Sequence, residues 1–267
     1  MKPRAKRFFD LVLAILAILI SLPIQIFIAI ALWIELGENP LFVQERAVSY
    51  GNKHFYLIKF RTIRKEHSSL IASNGNPDKF LIRNFNFKIS PFAAWIRKTG
   101  FDEILQIYNV LLGQMSFVGP RPLMVNELMT IKNKYPEQHC IRKNFNSLPG
   151  ITGIWQLVGN RELGVGNLND LDLFYEENKS FRIDIKIISF TVFYLLMNGK
   201  INSCKSKIHF VNGLNRISRK AGNSCYLLIS KIGTGTFSLY ILGNRRCFSA
   251  GSLKKKSIQK NYLKILG

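Results

Sequence analysis

The sequence predicts a mostly helical α+β protein led by a membrane element. Three observations carry this. Leu11–Ile34 runs 24 residues without a charge, long enough to reach across or into a bilayer. Two strand-like runs, Pro40–Arg46 and His54–Arg61, flank the turn residues Ser49-Tyr50-Gly51-Asn52, the pattern of a small β-hairpin. Apolar residues at helical spacing recur from Phe92 onward, as amphipathic surface helices require.

The first element begins with Lys2, Arg4, Lys6 and Arg7. A cleaved signal peptide fits this basic start, but the apolar run is too long and no small-residue cleavage pattern follows it. A spanning helix and a re-entrant hairpin remain. Pro23, near the middle of the run, lacks an N–H, frees the Leu19 carbonyl and bends a helix. Ser21 can offer its hydroxyl to a nearby freed carbonyl. Each half is about 12 residues, about 18 Å of helix, which reaches mid-bilayer. On these grounds a kinked span and a hairpin stand level. The flanks separate them. Gln44-Glu45-Arg46, Lys59-Phe60-Arg61 and Arg64-Lys65 are as basic as the N-terminus, so both sides prefer the cytoplasm by the positive-inside rule. A hairpin broken at Ser21 and Pro23 satisfies this, and a single span does not.

Beyond the hairpin strands, residues 66–80 read as a loop. Phe92–Lys98 reads as a short amphipathic helix. Thr99 stands three residues before Asp102, resembling a cap for a helix over Glu103–Leu112 that Gly113 ends. Gly119-Pro120-Arg121-Pro122 is a rigid turn, followed by a helix over 123–135. Pro149–Gly153 is a loop, and residues 168–178 and 183–197 are helical, the last apolar enough to lie on a membrane surface.

Asp102-Glu103 is the first chemical candidate. Adjacent helical residues point about 100° apart, so the two carboxylates can serve different roles. In a first helical turn the macrodipole favours their ionised forms. An ionised Asp can attack phosphorus, and its neighbour can hold Mg²⁺. Acidic residues also favour helix starts for no catalytic reason. Arg121, between two prolines, is a preorganised guanidinium suited to phosphate oxygens, or simply a solvated Arg on a rigid turn. Lys59 and Arg61 share a strand face and suit a diphosphate, or line a solvated edge. Asp172, among apolar neighbours, is a helix-surface residue or a partner for one of these cations. The four His are too scattered for a metal motif, and Gly233-Thr234-Gly235 lacks the Walker lysine and the third Rossmann glycine.

Read in order, the motifs resemble the bacterial sugar transferases, the monotopic phosphoglycosyl transferases. The matching pieces are Lys6–Asp10, Gln44–Arg46, Lys59–Thr62, Arg97–Gln106, Met115–Pro122, Pro149–Gln156, Leu171–Tyr175 and Asp184–Lys186. They cover roughly residues 4–199. The resemblance implies transfer of a sugar-1-phosphate from a UDP-sugar to polyprenyl (undecaprenyl) phosphate, with UMP leaving and Mg²⁺ required. Such a step starts surface glycan or exopolysaccharide assembly at the cytoplasmic face of the bacterial inner membrane. It implies Asp102 as the nucleophile that carries the phosphosugar, Glu103 as the Mg²⁺ ligand, and Lys59 and Arg121 as cations at the phosphates. Arg61 and Asp172 join them as substrate-binding candidates. The family's Gly-Arg-Asn after Trp-Gln is Gly159-Asn160-Arg161 here, which makes Arg161 a further, displaced candidate. The family's Ser-Pro helix break supports the hairpin, although this chain reads Ser21-Leu22-Pro23.

Charge sets the organisation. The 267 residues hold 38 Lys+Arg against 16 Asp+Glu, a net of +22. Residues 1–200 contain 25 of the basic and all of the acidic residues, while 201–267 contain 13 basic and no acidic ones. About five carboxylates are expected in a stretch of that length. The expected division is a membrane hairpin over 1–38, a cytoplasmic-face catalytic domain over 39–199, and a basic tail over 200–267. The tail's Arg245-Arg246 and Lys254–Lys256 have few aromatic neighbours, and basic residues against membrane lipids explain them as well as nucleic acid does. No nucleic-acid partner is expected. The rival to an enzyme is an inactive membrane adaptor, against which the intact Asp102, Glu103 and Arg121 argue. Four Cys without a CxxC pair fit a reduced, cytosol-facing chain.

Overall fold

Helix α1 (Pro3–Leu36) takes up the entire apolar run. In the computed structural model, which describes residues 3–49, 51, 53–66, 89–159, 164–196, 226–232 and 236–242, it is helical without interruption through Ser21, Leu22 and Pro23. The predicted break is therefore not a gap in the helix. One missing N–H leaves the neighbouring turns intact, and polar side chains line that stretch. Ser21 Oγ donates to the Ala17 carbonyl at 2.5 Å, Gln25 Nε2 donates to Ser21 Oγ at 2.6 Å, and the Tyr108 hydroxyl donates to Gln25 Oε1 at 3.0 Å.

One stripe of α1 is buried, with Asp10, Ala14, Gln25, Ile28 and Leu32 along it. The rest exposes Leu19, Ile20, Phe27, Trp33 and Ile34, with Ile20 81% exposed. A helix clad in large apolar side chains on all but one stripe is one that lipid solvates. At 1.5 Å per residue its 34 residues measure about 51 Å, well beyond a hydrocarbon core of about 30 Å.

Both ends of α1 dock on the same body. At the start, Lys6 Nζ donates to Asp184 Oδ2 (2.7 Å), and Arg7 donates to the carbonyls of Val110 (2.6 Å) and Leu111 (3.0 Å). Asp10 Oδ1 accepts from the Phe117 N–H at 3.3 Å. Toward the end, Ile28 and Leu32 pack with Phe60, Ala93, Ile96 and Leu105.

The body is built on two small sheets. Strands β1 (Leu41–Ala47) and β2 (Phe55–Phe60) pair antiparallel from Leu41↔Phe60 to Arg46↔Phe55, and β4 (Leu123–Met124) joins the other edge of β1. Strand β3 (Ser116–Val118) pairs in parallel with β5 (Gly150–Thr152), where the sequence reads only a loop. Gly119 and Gly150 make this approach possible, because a Cβ on either would run into the other's main chain.

Helices fill the remainder. They are α2 (Pro91–Thr99), α3 (Gln106–Leu111), α4 (Val125–Lys134), α5 (Pro136–Lys143), α6 (Ile154–Val158), α7 (Gly164–Asn178) and α8 (Phe181–Leu196). The predicted helix over 123–135 starts later, since residues 123–124 pair with β1, and Pro136 opens α5, which the sequence reading lacks. The main core joins α4, α6, α7 and α8 through Leu128, Ile131, Trp155, Leu168, Phe174 and Ile187. A second cluster seats Ala14 of α1 against Phe55, Leu57, Ile107, Val110 and Met115. In the tail, β6 (Tyr226–Ile232) and β7 (Thr236–Leu242) form an antiparallel hairpin. Residues 67–80 of the predicted loop, Arg161, Gly233-Thr234-Gly235 and the basic clusters at 245–246 and 254–256 lie outside the described residues.

Candidate active site

The Asp102-Glu103 pair sits on a reversal of the chain between α2 and α3. Ser90 caps α2, its hydroxyl accepting from the Ala93 N–H at 3.1 Å, and Pro91 occupies the first turn. Gly100 closes the helix at φ 77° with its N–H on the Ile96 carbonyl. That left-handed backbone favours glycine, and it turns the chain into a single 3₁₀ turn, Phe101–Glu103. The predicted arrangement is corrected in two respects. Thr99 is the last residue of α2 and its hydroxyl bonds back to the Trp95 and Ile96 carbonyls, so it caps nothing downstream. The two carboxylates precede α3 rather than opening it, because Gly100 restarts the chain in a tighter turn.

Asp102 is 8% exposed and Glu103 is open to solvent. Burial, with Glu103 beside it, pushes the Asp102 carboxyl up to about 7, while Lys59 and Arg97 pull it down. The sequence leads to the expectation that the helix dipole favours the ionised Asp, and burial acts in the opposite direction. Asp102 and Glu103 are adjacent carboxylate oxygen donors on one tight turn. Mg²⁺ is held through one or two carboxylates together with substrate phosphates, so this donor pair fits it. Among the described residues no group of three or more His, Cys, Asp or Glu forms a closed cage, as a substrate-assisted Mg²⁺ site does not require one.

The cations divide into two groups. Lys59, opposite Phe42 in the hairpin and 5.1 Å from its ring centroid, acts on Asp102. Arg97 does the same and donates to Thr62 Oγ1 at 3.1 Å. The sequence holds a cue to Arg97: it lies five residues before Asp102, in the last turn of α2. Arg61 is committed elsewhere, donating to the carbonyls of Asn39 (3.0 Å) and Leu41 (3.1 Å).

Arg121 makes its own set of contacts. Its guanidinium lies over the Trp155 ring at 4.9 Å, and its backbone N–H donates to Asp172 Oδ2 at 3.2 Å. Asp172 is buried rather than on a helix surface. Its partner is Arg142, whose Nη1 donates to Oδ2 at 2.8 Å. Asp172 thus bears on Arg121 through the main chain. Arg142 carries no periodic or motif signal, and only the tertiary fold reveals it.

A buried acid, an exposed acid and two cations beside an apolar helix make an arrangement whose charges suit an anionic ligand. Residues 1–198 match the family described as bacterial sugar transferase. The chain is 34% identical over 196 residues to the uncharacterized sugar transferase EpsL of Bacillus subtilis (strain 168), covering 73% of this chain and 89% of that one. It is 28% identical over 197 residues to the exopolysaccharide production protein ExoY of Rhizobium meliloti (strain 1021), covering 70% and 84%. With the UDP-glucose:undecaprenyl-phosphate glucose-1-phosphate transferase of Xanthomonas campestris pv. campestris it shares 31% identity over 206 residues, 72% of this chain but 39% of that protein. The chain spans most of the small relatives and about two fifths of the large one. It belongs to the bacterial sugar transferase family.

Proposed function

We propose that this protein transfers a sugar-1-phosphate from a UDP-sugar to polyprenyl phosphate, at the cytoplasmic face of the bacterial inner membrane. The observation that carries the reading is Asp102: a buried carboxyl, flanked by Lys59 and Arg97, next to a solvent-facing Glu103. The family and the names of its members support the chemical class.

In the first step an Asp102 carboxylate oxygen attacks the sugar-bearing phosphorus. A P–O bond to Asp102 forms, the P–O bond to UMP breaks, and UMP leaves with the bridging oxygen. In the second step a phosphate oxygen of the lipid attacks the same phosphorus and Asp102 regains its carboxylate. Asp102 attacks only when ionised, so Lys59 and Arg97 favour the reactive form and oppose the repulsion between a carboxylate and an anionic diphosphate. Glu103 would hold Mg²⁺, which when bound neutralises charge on the diphosphate. Arg121, stacked on Trp155, offers a fixed guanidinium to a phosphate.

The re-entrant topology belongs to this proposal, as a bend at Pro23 within a continuous helix. It is supported by the docking of both ends of α1 on one body and by the basic flanks on both sides. Residues 39–199 would then be the catalytic domain, with 200–267 lying outside it.

Membranes carrying the protein, supplied with a panel of UDP-sugars and polyprenyl phosphate, are expected to release UMP and form polyprenyl-diphosphosugar. Asp102→Asn abolishes both. Retained turnover in that variant would remove Asp102 as the nucleophile.

A further inference from the structure

We infer that Arg142 is a positioning residue for phosphate transfer, acting through Arg121; the inference rests on the function proposed above. The turn Gly119–Pro122 is held on every side. Gly119 N–H donates to the Thr152 carbonyl (3.1 Å), and the Pro120 carbonyl accepts from Gly150 N–H (2.9 Å). The Arg121 N–H goes to Asp172, and the Pro122 carbonyl accepts from Arg46 at 3.4 Å. The Arg121 carbonyl is taken by Arg142 Nη2 at 2.8 Å. What this leaves to act on a substrate is the Arg121 guanidinium, seated on Trp155.

Arg142 is the hub of that arrangement. It is 0% exposed, and its fork reaches four groups at once: Val48 O (2.8 Å), Asn169 Oδ1 (3.0 Å), Asp172 Oδ2 (2.8 Å) and Arg121 O. Through Nη1 and Nη2 it grips the turn directly and also fixes the carboxylate that holds the Arg121 N–H. The planar guanidinium is what permits this, since an ammonium presents no such fork. Replacing a buried ion pair with neutral side chains of similar size is often neutral or stabilising, so folding alone is a weak reason for a charge here. Holding Arg121 in one place is a stronger one. The link is through the main chain of Arg121, so Arg142 touches no substrate.

The test is a double-mutant cycle on the full chain in membranes, read as UMP release. Arg142→Lys keeps the charge against Asp172 but loses the fork. It is expected to lower kcat/KM about tenfold with Arg121 present, and less than about twofold in an Arg121→Met background, because coupled residues are not additive. Equal factors in both backgrounds would overturn the inference and leave the proposed function standing. Should Arg142→Lys fail to accumulate, the paired variant Arg142→Met with Asp172→Asn removes both charges together. It is expected to melt lower, since the Val48 and Arg121 carbonyls lose their donor, while also losing a similar factor in kcat/KM per folded molecule. A lower melting point with unchanged activity per folded molecule assigns Arg142 to stability alone and refutes positioning. Absence of wild-type UMP release with every UDP-sugar overturns the functional reading, and this inference with it.

Discussion

At the scale of single residues, the carboxyl of Asp102 sets the pH behaviour. Its pKa is raised from 3.8 to about 7; with the carboxylate as the proposed nucleophile, kcat/KM is expected to rise with pH through about 7 and level above it. The neighbours fix the direction of each change. Glu103→Gln removes a negative charge and moves the Asp102 titration to lower pH, whereas Lys59→Met moves it higher. Carboxyl NMR on metal-free protein reads both shifts without turnover. Stability runs the other way. A folded pKa above the unfolded value means stability is fully present below about 4 and lost as pH rises through about 7. Asp102→Asn, expected to be inactive, is therefore expected to raise the melting temperature at pH 8, with a gain of up to about 4 kcal/mol in stability. A lower melting point at pH 8 would show that the carboxylate is not under strain. The sequence reveals Asp102, Glu103 and Lys59 as a pattern of residue types in order. It does not reveal the raised pKa, because burial depends on how α2 and β2 close over the turn, and it does not reveal Arg142, whose partners lie 21 to 94 residues away.

Among elements, the reversal after α2 is the most exposed to a single change. Gly100→Ala places a side chain at φ 77° and 3.3 Å from Leu195; the left-handed backbone alone costs about 1–2 kcal/mol. Turnover is expected to fall more than stability does, since the same turn carries Asp102, and activity set against melting point separates the two. Helix α1 offers a second test. Pro23→Ala restores the missing N–H and favours a straight helix. A cysteine placed at Arg4 should stay inaccessible to a membrane-impermeant reagent from outside in the wild type and become reactive in the Pro23 variant. Unchanged labelling would mean that Pro23 does not set the topology. The hairpin β1–β2 and helices α2, α7 and α8 were legible because local spacing and turn residues determine them. The β3–β5 pairing was not, because it joins segments 34 residues apart through contact between two glycines.

For the whole molecule, the family match ends at residue 198 and every residue assigned to the site precedes it, including Arg161, which lies outside the described residues. A chain ending at Lys200 is expected to keep UMP release within about twofold, since every residue proposed for the chemistry lies before that point and within the family match. A larger loss would make the basic tail part of the enzyme.

The docking of α1 also bears on modularity. Replacing residues 3–36 with a foreign hydrophobic helix would strip Asp184 of its lysine, leave the Val110 and Leu111 carbonyls without their arginine and the Phe117 N–H without its acceptor. The membrane segment is thus not an interchangeable tether. Chimeras between relatives should work only when anchor and body are exchanged together, so the two segments are expected to have been inherited as one unit.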